Sequence, residues 1–446
     1  MMLYRALIKI LLLTVGLIIN SCAKHIYFGN SKHNSYSPVN IKIYEQTRRH
    51  SLGPCEPSIA INPVNTNNMV VGSVLDYVHT SNDSGKTWQT QQLKSKYGVW
   101  GDPTLLCDFK GNFYYFHLSD PEGTNWKSKK ILDRIVVQKS SDNGKTWSKG
   151  TGIGLNAPKQ QDKQGAVINP KQNNQLYTAW TEFDKYSSNN KNDKSRILFS
   201  KSINSGKTWS KPIQISNQEG NCLDNDLTPE GTTLASDGNN LYMSWAYNSK
   251  IWFAKSTDNG NNWSKEIAIA NQPNGWKYNI KNLARCNGFP VISIDQSNSK
   301  HKGTVYINWS TQINETQTNI FISKSLNKGI TWSTPKIVNT NKKTAHHFFN
   351  WMCNDTKTGY IYIVYYKEVK PKSSLIEVHL SVSKNGAKSF KDFTISKQSF
   401  NPKGATFFGD YNSITAYNGI IRPVWTQVNN GMVSIWTALI EQHHLK

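Results

Sequence analysis

The octapeptide Ser81-Asn82-Asp83-Ser84-Gly85-Lys86-Thr87-Trp88 decides how this chain is read. A carboxylate at its third place can accept hydrogen bonds from amides of its own turn, and glycine at its fifth supplies the positive φ at which a chain reverses between two strands. The closing tryptophan is then free to pack on a sheet. The pattern returns at Ser140–Trp147 (SSDNGKTW), Ser202–Trp209 (SINSGKTW), Ser256–Trp263 (STDNGNNW) and Ser325–Trp332 (SLNKGITW), and in eroded form at Ser383–Phe390 (SKNGAKSF). The starts lie 59, 62, 54, 69 and 58 residues apart, and nothing between the copies has a helical period. Strands and tight turns repeating at about sixty residues are the mark of sheets arranged radially around an axis.

Each interval carries the same succession of strands. An inner strand comes first: Glu56–Ile61, Asp102–Cys107, Gly165–Ile168, Thr232–Ser236, Phe289–Ile294, Phe349–Cys353 and Asp410–Ala416. A second strand follows a polar turn and ends on an aromatic at Trp180, Trp245, Trp309, Tyr366 and Trp425; a third leads into the octapeptide and a fourth leaves it. The last unit, whose third strand is Met432–Ile440, has no fourth of its own, and the alternating segment Asn40–Tyr44 (NIKIY) can supply one. That pairing would close the ring and remove an exposed edge. The chain is therefore expected to be all-β, a seven-bladed β-propeller over residues 38–446, with six blades as the alternative. In such a meander the octapeptides share a face with the turns after the inner strands. The longer connections, such as 119–132, 182–195 and 271–288, gather on the opposite face, where a site is expected.

The N-terminus has the form of an export signal: Arg5 and Lys9, the apolar run Ile10–Ile19, then Ser21-Cys22. Ile19-Asn20-Ser21-Cys22 resembles a bacterial lipobox, which implies removal of residues 1–21, lipid on Cys22 and a polar tether over 22–37. The expected location is the bacterial cell envelope, periplasmic or outer-surface, with membrane attachment through that lipid alone. The chain has 52 Lys and Arg against 29 Asp and Glu, a formal charge of +23, or about +21 without the leader. A field of that sign draws in anionic glycans or surfaces, and it equally suits lysines dispersed over solvent, since no run of five basic residues occurs. There is no basic stripe to favour nucleic acid, and a monomer is expected. No spacing of Cys or His marks a transition-metal site; no cofactor is expected, with a structural Ca²⁺ on the carboxylates left open. Cys107 and Cys353 read as buried thiols, and Cys222 and Cys286, at similar places in successive repeats, could pair in an oxidising compartment.

Aligning the inner strands by their starts gathers Glu56, Asp102, Gln164, Glu230, Asn287, His347 and Asp410 around the axis. Four carboxylates in so small a space repel one another, so some should hold their protons unusually tightly, as a general acid must. Trp100, Tyr278, Phe348, Phe349 and Phe408 stand nearby and could stack on sugar faces.

The repeated octapeptide resembles the Asp-box, or BNR repeat, of sialidases. That family carries an acid/base Asp in its first blade before the first box, and Asp76 (VLDY) stands there. Its Glu at the start of an inner strand is similar to Glu230 in Glu230-Gly231-Thr232-Thr233, and its last-blade nucleophile to Tyr411 in Gly409-Asp410-Tyr411-Asn412-Ser413. The resemblance implies a glycosidase with Asp76 as acid/base and Tyr411 as a nucleophile polarised by Glu230. Glu56, Asp102, Arg285, His347, Asp410 and Trp100 are the expected substrate contacts. The family's arginine clamp is not matched: Cys55-Glu56-Pro57 stands where its first arginine belongs, and no arginine occurs between Arg285 and Arg422. Arg285 or a nearby lysine is then expected to hold an anionic group of the sugar. Two other functions stay open. One is a surface module that binds an extracellular glycan or partner without cleaving it; the other is a polysaccharide lyase using His347 and a tyrosine.

Overall fold

Strands rich in aromatic and β-branched residues, each bounded by Asn-, Asp- and Gly-bearing turns, pair into seven four-stranded antiparallel sheets in the computed structural model, which describes residues 36–49, 51–340 and 344–445. The expected leader and its Cys22 lie outside the described residues. Six sheets are chain-consecutive meanders, opening on the inner strands Ser58–Ile61, Thr104–Cys107, Gln160–Ile168, Glu230–Ser236, Val291–Ile294 and His347–Asn354. The seventh is joined from both ends of the chain. Ser413–Tyr417, Ile420–Asn429 and Met432–Glu441 take Val39–Glu45 as their fourth strand, with Ile41 opposite Thr437 and Lys42 opposite Trp436. The ring therefore has seven blades rather than six.

Apolar contact runs between neighbouring blades, because no single sheet can bury both of its faces alone. Trp180, Trp245, Trp309, Tyr366 and Trp425, the second-strand aromatics, are each at most 1% exposed. Phe116 and Leu118 of the second blade pack with Trp180 and Leu198 of the third, and Phe199 of the third packs with Trp245 of the fourth.

The octapeptides are closed by their own atoms. Asp83 accepts from the Thr87 N–H at 2.9 Å and from its hydroxyl at 2.6 Å, Gly85 N–H donates to Ser81 Oγ at 2.9 Å, and Trp88 Nε1 donates to Gly85 O at 2.9 Å. Asp142, Asn204, Asp258, Asn327 and Asn385 repeat the third-place bonding. In the eroded copy Ala387 takes the glycine's place at φ 63°. The tryptophans wedge against the preceding blade: Trp263 meets Phe199 and Trp332 meets Phe253, both with ring centres 5.0 Å apart. Part of the lysine excess is structural too. Lys201, Lys255 and Lys324 each reach one blade onward to cap a turn carbonyl, of Asn259, Lys328 and Gly386, at 3.1, 3.0 and 2.7 Å.

Candidate active site

Ser84 N–H donates to Asn67 O at 3.0 Å, which puts the octapeptide turns and the turns after the inner strands on one face. On the other face, the starts of the inner strands and the long connections frame a cavity of about 390 Å³. Six carboxyl groups line it: Glu56, Asp102, Asp162, Asp224, Glu230 and Asp410. The basic residues of the lining are Lys163, Arg285 and Lys277, and the aromatic ones include Trp100, Trp126, Tyr186 and Trp276.

A backbone device repeated from blade to blade turns these side chains toward the cavity. Two residues before the regular pairing of the inner strand begins, the chain passes through the left-handed region: Glu56 at φ 51°, Asp102 at 50°, Lys163 at 49°, Gly231 at 72° and Phe349 at 52°. In the third, fourth and sixth blades the pairing register slips there, as between Asp162 and Gly165, between Glu230 and Thr233 and between Phe348 and Trp351. A bulge re-aims the side chains beside it. Non-glycine residues held in this region cost of order 1–3 kcal/mol each, and such strain collects at functional sites. At Gly231 a Cβ would come 2.3 Å from the Phe289 ring, so only glycine fits, and Glu230 before it supplies the carboxyl of that blade.

The groups form a connected network. Arg285 donates Nε to Asp410 at 2.8 Å and Nη1 to Asp224 at 3.0 Å, and its Nη2 also meets Asp410. Glu56 accepts the Asp410 N–H at 3.0 Å, Tyr186 OH donates to Asp224 at 3.0 Å, and Tyr411 OH donates to Asp102 at 3.1 Å. Lys163 lies 3.8 Å from Asp102 and 3.6 Å from the centre of the Tyr411 ring. Glu230 differs from the other carboxyl groups of the lining: its Oε2 is buried and has no hydrogen-bond partner among the described residues. Burial, reinforced by Asp224, Asp162 and Asp102, holds its carboxyl well above the usual range. Glu56, Asp162 and Asp410 are raised as well, in each case chiefly by burial, with nearby carboxylates adding to it.

Of the residues singled out in the sequence, Glu56, Trp100, Asp102, Glu230, Arg285 and Asp410 line this cavity, and Tyr411 lies beside it against Asp102. Tyr411 lines an adjoining space of about 250 Å³ between the inner strands, with its ring 5.7 Å from Trp351. Its partner is Asp102, not Glu230. Asp76 falls outside the lining: it sits in the turn between the second and third strands of the first blade and is held by Gln92, while Val74 and Leu75 beside it face the cavity. His347 lies within the sixth sheet, two residues before the left-handed Phe349. Its Nδ1 is bonded to Thr318 O at 3.0 Å, burial pushes its pKa down to about 4, and it is not among the residues lining the cavity. Arg285 is paired with the carboxylates of Asp410 and Asp224. Phe408 packs with Phe349, Phe400 and Tyr366, and Phe407 faces the cavity instead. Cys222 and Cys286 are both buried free thiols rather than a disulfide, and Cys107 and Cys353 are only partly covered.

Asp162, Lys163, Tyr186, Asp224, Trp126 and Trp276 were not singled out in the sequence. Asp162 and Lys163 could have been found from the Asp-Lys-Gln-Gly segment (162–165), had a bulge been placed there; the others arrive on irregular connections whose course no periodicity encodes.

No family model matches this chain, and no curated relative matches it in sequence. Among solved structures, an ulvan lyase of a polysaccharide lyase family is similar at a TM-score of 0.52 and 12% identity, covering 90% of this chain and 96% of that one. An α-L-arabinofuranosidase from Fusarium graminearum gives 0.49 and 16%, over 74% and 93% of the two chains. A sialidase from Streptococcus pneumoniae gives 0.48 and 12%, over 85% and 82%. At these identities the likeness is one of fold.

Proposed function

We propose that this protein cleaves glycosidic bonds in extracellular glycans, with Glu230 as general acid and Asp102 as the carboxylate facing the anomeric carbon. The observation that carries this reading is Glu230, which helps line a cavity rich in acids and aromatic rings and whose buried Oε2 has no partner among the described residues. A buried polar atom without a partner asks for an explanation, and a ligand oxygen waiting for a proton supplies one. Glu230 gives its proton to the glycosidic oxygen as the exocyclic bond breaks, and Asp102 balances the positive charge that develops on the sugar ring. Tyr411, whose hydroxyl donates to Asp102, and Lys163 beside it hold that carboxylate in place. In this reading Tyr411 positions Asp102, and the nucleophilic role that the resemblance implies for it is separated from this one by Tyr411→Phe. Trp100, Trp126 and Tyr186 form the wall on which a sugar would stack: Trp126 meets Trp100 edge-on at 5.8 Å and Tyr186 nearly parallel at 5.5 Å. Export and lipid attachment at Cys22 belong to the same proposal and rest on the lipobox-like Ile19-Asn20-Ser21-Cys22.

The test is incubation with a panel of glycans and mass spectrometry of the products. A saturated sugar released by the parent protein, and not by Glu230→Gln or Asp102→Asn folded like the parent, supports the proposal. An unsaturated product would mean elimination instead, and binding without any product would mean a non-catalytic glycan receptor. Nuclear magnetic resonance of the first-formed anomer then tells whether Asp102 attacks directly or activates a water.

A further inference from the structure

The charge balance of the cavity bears on which sugar it takes, an inference that rests on the glycan reading above. Nε and Nη2 of Arg285 are committed to Asp410, and Nη1 to Asp224. Lys163 is committed to the face of Tyr411 and the edge of Asp102. Lys277, the remaining basic residue of the lining, is exposed. Against these stand six carboxyl groups, Glu230 among them with a buried Oε2 that has no partner among the described residues. A ligand carboxylate or sulfate in this cavity would stand among six carboxyl groups, with Arg285 and Lys163, the cations that could answer it, already paired to Asp410, Asp224 and Asp102. A sugar hydroxyl can accept from protonated Glu230 and donate its own hydrogen to a neighbouring carboxylate, an ammonium donates likewise, and the faces of Trp100, Trp126 and Tyr186 suit both a sugar ring and a cation.

We propose that the cavity selects sugars by charge, admitting neutral and amine-bearing units and rejecting carboxylated and sulfated ones. The chain as a whole carries a formal +23 and attracts polyanions at long range, so the rejection is local and falls on the one unit that enters the cavity.

The experiment uses the intact protein on an array of neutral, amino, uronic-acid, sialylated and sulfated glycans. The best ligand is then titrated by calorimetry against its counterpart oxidised to a carboxylate at the primary hydroxyl. Binding confined to neutral and amino glycans is expected, with the oxidised counterpart weaker by about tenfold or more, since like charges brought together across an interface cost several kcal/mol. Asp224→Asn, which frees one arm of Arg285, should narrow that gap, provided circular dichroism shows it folded. Anionic units bound as well as neutral ones would overturn charge selection and leave the glycan reading standing. Binding to no glycan of any class would overturn the glycan reading, and this inference with it.

Discussion

Exchanging Glu230 for glutamine keeps the side chain's volume and removes only the proton that the proposed mechanism transfers. A positioned general acid contributes typically 10²–10⁴-fold, equivalent to about 3–5 kcal/mol of barrier at 1.36 kcal/mol per decade. That loss should depend on the leaving group. With a natural glycoside the alkoxide departs only if protonated, whereas a nitrophenyl glycoside leaves unaided and the variant should keep most of its rate. Steady-state kinetics across pH on both substrates is the assay. In the parent, activity on the natural glycoside falls on the alkaline side as Glu230 loses its proton; in the variant that limb is absent. Stability gives an independent check. Because the folded-state pKa of Glu230 is raised, chiefly by burial, its contribution is fully present below the unfolded value and is lost as pH rises through the folded one. Glu230→Gln should therefore gain thermal stability relative to the parent between acid and mildly alkaline pH. Equal losses on both leaving groups, or an unchanged alkaline limb, would refute the assignment.

Tyr411→Phe removes the 3.1 Å bond to Asp102 and should lower kcat with KM little changed; abolition of turnover would instead make the phenol the nucleophile. Asp76→Asn should leave kcat/KM at the parental value, since its carboxyl is bonded by Gln92 and Asp76 is not among the residues lining the cavity. Ala387→Gly should raise the denaturant midpoint, because a non-glycine residue in the left-handed region costs roughly 1–2 kcal/mol and Ala387 sits at φ 63°. Deleting the chain through Glu45 bares the edge of Met432–Glu441 and should cause aggregation visible by light scattering; deletion through Tyr36 should not.

The architecture was legible because its determinants are local. An Asp or Asn that bonds its own turn, a glycine two places later and a tryptophan after it act within eight residues, whatever surrounds them. The need for Asn40–Tyr44 as the closing strand followed from counting strands, and the observed Val39–Glu45 pairs where that count placed it. Glu56, Asp102, Glu230 and Asp410 were legible as a group because each precedes an inner strand. How their carboxyls are paired was decided only by the tertiary structure. The side chains of a strand alternate with period two, so one bulged residue reassigns a face: it brought Asp162 and Lys163 to the cavity, and the slip beyond Phe348 left His347 inside its sheet. Charge is likewise a property of space. Arg285 looked free until Asp410, 125 residues away, was brought against it, and Tyr411 looked like a partner for Glu230 until Asp102, 309 residues earlier, took its hydroxyl. Turns are encoded by neighbours in the chain, whereas the upward pKa shift of Glu230 comes from burial and from Asp224, Asp162 and Asp102, which only the closed ring assembles.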